Sequence, residues 1–140
     1  MSEQDIKSAA NAGRVLLVLD DLIVGISETQ LNTVFTRGSH NWGVSVVLIT
    51  QHLFAKEVKM ARNNLHYLVL MRSPAGEAQV SNLATQLFKQ RRDLLLQSYN
   101  DATSDHFSYL LLDMHPSSNK QLLFKTHIYH DEWPIRVFTY

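Results

Sequence analysis

The chain has 140 residues, 45% of them hydrophobic and 19% charged, which fits one globular domain and excludes a disordered polyampholyte. Its 13 basic and 13 acidic residues cancel, so it is no histone-like polycation, and the absence of cysteine excludes disulfide scaffolds, thiolate zinc sites and thiol nucleophiles. No apolar run approaches the roughly 18 residues of a membrane span, and Met1-Ser2-Glu3-Gln4-Asp5 lacks a signal layout, so a soluble intracellular protein with no membrane partner is expected.

Ser2 to Asn11 can form a helix, after which Val15 to Leu19 is an unbroken apolar run ending in Asp20-Asp21. That pattern predicts a strand buried on both faces. Ser27 and Gln30 form a capping box, Leu31, Val34 and Phe35 follow at helical spacing, and Gly38 is the expected stop. After the turn-prone Asn41-Trp42-Gly43, Val44 to Thr50 is rich in β-branched residues and predicts a second buried strand. A short helix is expected over Leu53 to Ala61 and a third strand over Leu65 to Met71, closed by Arg72-Ser73-Pro74-Ala75-Gly76.

Val80, Leu83, Ala84, Leu87 and Phe88 make one apolar helical stripe, and Asp93 to Tyr99 gives a further turn or two. Phe107 to Asp113 and Gln121 to Thr126, joined through His115-Pro116-Ser117-Ser118-Asn119, predict a β-hairpin, with Ile135 to Tyr140 as an edge strand. The whole predicts an α/β sandwich with a C-terminal β extension.

The chemistry concentrates at two strand ends. A buried strand closing on Asp20-Asp21 delivers carboxylates to the edge of a parallel sheet, where open α/β folds bind ligands. One can hold the Mg²⁺ of a nucleoside triphosphate and the other can orient water; an Asp there can equally just cap the next turn. Thr50-Gln51 ends the next strand, and a Gln amide can sense a γ-phosphate or cap the helix at Leu53.

Val15 to Asp21, Phe35-Thr36-Arg37-Gly38-Ser39-His40, Leu48-Ile49-Thr50-Gln51 and Arg62-Asn63-Asn64 before Leu65 to Met71 stand in a telling order. Together they resemble the downstream half of FtsK/HerA-type P-loop DNA-packaging ATPases, as in large DNA viruses and Polinton/Maverick elements. The resemblance spans roughly Arg14 to Asp131. It implies a partial RecA-like P-loop NTPase three-layer sandwich from the Walker B strand onward (1–106), with a hairpin and extended segment (107–140) in the same domain. It also implies Asp20 and Asp21 as the Walker B pair, Asp20 holding Mg²⁺ through the nucleotide, and Thr50 and Gln51 facing that nucleotide, with Gln51 the sensor. Arg62 would be the arginine finger, with Arg72 second.

The implied cofactor is Mg-ATP in the complete enzyme, with no tight binding to this chain alone. Implied partners are further copies in a ring, or the missing P-loop half, and double-stranded DNA. The implied location is the virion, the virus factory or the nucleus.

The departure from the family is large. None of the five glycines, Gly13, Gly25, Gly38, Gly43 and Gly76, belongs to a G-x-x-x-x-G-K-[ST] cradle. The Walker B run starts about fifteen residues from Met1, so the chain is expected to begin partway through a domain. In the family topology the P-loop strand lies between the sensor strand and a later one, so its loss implies a gap in the sheet. A non-catalytic remnant, kept as an interaction or oligomerisation module, is the alternative.

Other residues draw weaker expectations. His127 and His130 beside Asp131, with His115 near in sequence, suit a metal poorly, because i and i+3 on a strand face opposite ways. Lys56, Lys59 and Arg62, and Lys89-Gln90-Arg91-Arg92, are basic faces that can be merely solvated or can touch DNA. Trp42 and Trp133 read as packing or interface anchors. A phosphoacceptor receiver domain is rejected, since no strand and no Asp lie between Asp21 and Thr50.

Overall fold

The computed structural model describes residues 2–21 and 25–139. The chain is mixed α/β and divides into two compact units, Met1–Asn64 and Leu65–Tyr140.

In the first unit, α1 (Glu3–Ala12) opens with a capping box in which Ser2 and Asp5 satisfy each other's backbone amides. It leads into β1 (Val15–Asp20), which pairs in parallel with β2 (Val44–Ile49) from Val15↔Val44 to Asp20↔Ile49. Parallel strands require a crossover, and here it is helical: α2 (Glu28–Thr33), a π turn (Val34–Gly38) and α3 (Ser39–Asn41). The Ser27–Gln30 capping box forms as expected. Leu31, Val34 and Phe35 are buried with Leu17, Leu19 and Val44, and Ile6, Val58 and Ala61 complete this core. The segment after β2 makes a 3-10 turn (Lys56–Val58) and then α4 (Lys59–Asn63).

Three expectations are corrected here. β1 and β2 are buried on one face only: Leu17 and Leu19 point inward, whereas Leu16, Val18, Val47 and Ile49 are 42% to 64% exposed. The apolar run has the composition of a doubly covered strand, yet the helices of this unit cover a single face. Gly38 does not stop a helix. It lies inside the turn at φ −61°, where a Cβ would touch the Trp42 ring and Val34, and the helix ends instead at Trp42-Gly43, with Gly43 at φ +66°. The expected helix over 53–61 is shifted to 56–63, because Ala55 has extended ψ and helical dihedrals start only after it.

In the second unit, β3 (Tyr67–Met71), β4 (Tyr109–Asp113), β5 (Phe124–Thr126) and β6 (Arg136–Phe138) form an antiparallel sheet in that order. The hairpin thus pairs with the third strand, and β6 is the edge strand, its expected last residue Tyr140 lying outside the described residues. Among the described strands β2 is bonded to β1 in a parallel pair and β3 to β4 in the antiparallel sheet. β4 starts two residues later than expected, since Phe107 adopts the left-handed region at φ 62°.

α5 (Gly76–Leu87) buries Val80, Leu83 and Ala84, and α6 (Arg92–Ala102) buries Leu95, Ser98, Tyr99 and Ala102. Phe88 leaves the end of the stripe to pack edge-to-face on Phe124 at 5.6 Å. Leu110, Leu112 and Phe124 supply the sheet side of this core. The other face of β3 leaves Tyr67, Val69 and Met71 about half exposed. Asp113 and Lys125 form an ion pair at 2.7 Å with little exposure, and Ser118 Oγ donates to the second Asp113 oxygen at 2.6 Å.

Two outcomes follow for stability. At Gly76 an added Cβ would collide with the buried Tyr99 hydroxyl, which donates to Met71 O at 3.3 Å. Gly76→Ala is therefore expected to destabilise by about 1–3 kcal/mol in denaturant melts, although helix propensity alone would favour Ala; a stabilised variant would refute this packing. The second outcome concerns acid. Burial raises the Asp113 pKa, but the bonds from Lys125 and Ser118 outweigh it and hold the carboxyl below its ordinary range. The folded pKa is depressed, so this contribution is complete above about pH 4 and fades as pH falls through the folded value. Thermal melts from neutral to acid pH should show that acid limb in the native chain and a weaker one in Asp113→Asn.

Candidate functional site

The parallel register of β1 and β2 brings the two polar strand ends together. Asp20 is opposite Ile49, and the Asp21 N–H donates to Ile49 O at 3.1 Å, adding one rung beyond the last strand residue. Asp21 accomplishes this in the left-handed region, at φ 48°, which Asp tolerates better than most residues. Thr50-Gln51 follows directly, so both carboxylates and the Thr-Gln pair lie at the same end of one two-stranded sheet. Asp20 and Asp21 are exposed, Thr50 is half-buried and Gln51 is exposed. Thr50 Oγ1 accepts from the His52 N–H at 3.0 Å, which fixes the chain leaving β2.

Alternation along β1 and β2 places Leu16, Val18 and Asp20 on one face, together with Ser45, Val47 and Ile49 of the neighbouring strand. Asp20 therefore belongs to the uncovered apolar face. The donors here are carboxylate and hydroxyl oxygens, a hard set that suits Mg²⁺ and not a soft metal. Asp20, on the uncovered face, is the residue that could hold such an ion. Among the described residues no group of three or more His, Asp or Glu comes together as a metal cage. His127, at φ 57°, and the exposed His130 contribute to none.

Arg62 is held within its own unit. Its Nη1 donates to Leu53 O at 2.8 Å and its guanidinium lies 4.6 Å from the Phe54 ring centroid. Lys56 and Lys59, on the 3-10 turn and on α4, are exposed, while Arg62 is half-buried against 53–54. The three do not line up as one solvated helix face. Arg72, just past β3 in the second unit, is exposed. Trp42 packs in its unit with Lys7 Nζ 4.8 Å above the ring, whereas Trp133 is exposed.

One cluster escaped the sequence reading. Asp113, His115, Ser117 and Ser118 fold onto one another after β4: Ser118 Oγ donates to Asp113, and Ser117 Oγ lies 2.6 Å from His115 Nδ1. The signal was present as a strand-end Asp followed by a His-Pro-Ser-Ser-Asn turn, but it reads locally as hairpin chemistry. No helix among the described residues is long and apolar enough to cross a membrane. Comparison with family models, curated proteins and solved structures gives no match.

The geometry separates the two arginines. Arg62→Ala removes a charged hydrogen bond and a cation–π contact and is expected to cost about 1–2 kcal/mol. Arg72→Ala should stay within about 0.5 kcal/mol of the parent. Equal urea midpoints for the two variants would show that the Leu53–Phe54 anchorage of Arg62 is energetically empty.

Proposed function

We propose that this chain is the downstream segment of a DNA-translocating, genome-packaging ATPase of the FtsK/HerA type, inactive by itself. The observation that carries the reading is the Asp20-Asp21 end of β1, beside Thr50-Gln51 in a parallel pair whose Asp20 face is apolar and uncovered. A parallel sheet is normally covered on both faces, and Leu16, Val18, Val47 and Ile49 ask for a second layer. The sequence contains no phosphate cradle. One missing piece, carrying the cradle and a covering layer, would meet both needs.

Within the complete motor Asp20 would hold the magnesium of Mg-ATP, Asp21 would orient the attacking water, and Gln51 would read the γ-phosphate. Arg62 or Arg72 would reach a neighbouring copy's nucleotide and stabilise transition-state charge. Hydrolysis would then drive double-stranded DNA through a ring of copies.

The test starts with the coding sequence upstream of the Met1 codon, where an in-frame G-x-x-x-x-G-K-[ST] is expected. ATP turnover is then measured on the whole chain with Mg²⁺ and DNA. Asp20→Asn and Asp21→Asn should each lower kcat by about 10²-fold or more. Turnover by the 140-residue chain alone, or undiminished turnover in both variants, would sink the proposal. A stop codon and a transcript beginning at Met1 would put the non-catalytic interaction module in its place.

A further inference from the structure

The second unit holds a cleft of about 630 Å³ that lies apart from the strand-end site. One wall is the C-terminal end of α5 and the 3-10 turn Lys89–Arg91; the other is the β4–β5 connection. Arg91 Nη1 donates to Lys120 O at 2.8 Å and ties the walls together across 29 residues of sequence. Lys89 and Lys120 are exposed on either side.

Charge in the cleft is one-sided. Its lining contains Lys89, Arg91 and Lys120, and its sole carboxylate, Asp113, is already engaged by Lys125 and Ser118. A neutral chain has thus collected three cations in one concavity with no unengaged carboxylate in its wall. A positive concave surface concentrates field and attracts anions. Lys89 and Arg91 complement the carbonyl end of α5, but Lys120 belongs to a different element and that role does not account for it.

The apolar part of the wall has a chemistry of its own. Leu87 is 47% exposed although it belongs to the α5 stripe, and Phe88 and Leu123 are half-buried beside it. Lys offers a point charge to phosphate oxygens, and an aliphatic and aromatic wall takes a flat ring.

We propose that this cleft binds an organic phosphate carrying a planar apolar body, the phosphate lying between Lys89 and Lys120 and the ring against Leu87 and Phe88. A free mononucleotide and a single-stranded nucleic acid both supply that chemistry. The inference is independent of the ATPase reading, because its site and its readout lie wholly in the second unit.

The test is equilibrium binding by the 140-residue chain to three probes: inorganic phosphate, adenosine monophosphate and a short single-stranded oligothymidylate. The mononucleotide should bind at least about tenfold tighter than phosphate, because the ring adds contact area. Lys89→Glu with Lys120→Glu should weaken the organic probes by about tenfold or more, with an unchanged circular dichroism spectrum and melting temperature. Leu87→Glu, at an exposed position, should erase the preference for mononucleotide over phosphate.

Tighter binding of the oligonucleotide, falling steeply with salt, would identify a strand as the ligand; equal or weaker binding would identify the free nucleotide. Equal affinities for mononucleotide and inorganic phosphate overturn the proposal. So does an unaltered affinity in the folded double variant, or no binding of any probe at about millimolar concentration.

Discussion

The parallel ladder between Val15–Asp20 and Val44–Ile49 is the constraint on which the first unit depends. A hairpin cannot join parallel strands, so the chain must cross over, and the helical crossover with α1 packs against a single side of the pair. The same register decides two further things. It sets Asp20 and Asp21 level with Thr50 and Gln51, and it turns Leu16, Val18, Val47 and Ile49 outward. Strand-end chemistry and uncovered surface are therefore two consequences of one pairing.

The magnitude of that uncovered surface matters. Four aliphatic side chains, each about half exposed, forgo roughly 1 kcal/mol apiece relative to full burial. Their sum is a sizeable share of the roughly 5–15 kcal/mol that holds an ordinary domain together. A layer that covered them would stabilise the unit appreciably, and it would also meet Asp20, which shares their face. Left uncovered, the same face and the unpaired strand edges are an association liability.

Local pattern made most elements legible, and their partners much less so. The β-branched residues of Val44–Ile49, the α5 stripe and the Ser27–Gln30 capping box each reflect interactions within a few residues, and each forms near its expected place. Whether Tyr67–Met71 pairs in parallel with β2 or antiparallel with β4 depends on contacts some forty residues apart, which alternation cannot encode. Gly38 misled because a glycine that makes room for Trp42 looks in sequence like one that ends a helix. Asp20-Asp21 was readable as a strand end, but the missing cover was not: an apolar run states what a strand requires, not what its chain provides. The Asp113 cluster was hidden because its members are also ordinary turn residues.

Under the proposed ATPase reading, the two candidate arginine fingers differ in what they must give up. A finger has to leave its resting contacts before it can reach another copy's phosphates, and the cost of leaving is subtracted from the transition-state stabilisation it supplies. Arg62 rests on a charged hydrogen bond to Leu53 O and on the Phe54 ring, together worth about 1–2 kcal/mol. That is roughly a tenfold handicap in rate if both contacts break. Arg72 stands exposed at the end of β3 and carries no comparable anchorage. The family resemblance favours Arg62, while the energetics favour Arg72, unless the 53–54 segment moves with the guanidinium and carries it intact. In that second case Phe54 and Leu53 would act as a preorganised mount, and the anchorage would raise the finger's effectiveness by lowering the entropy lost on engagement.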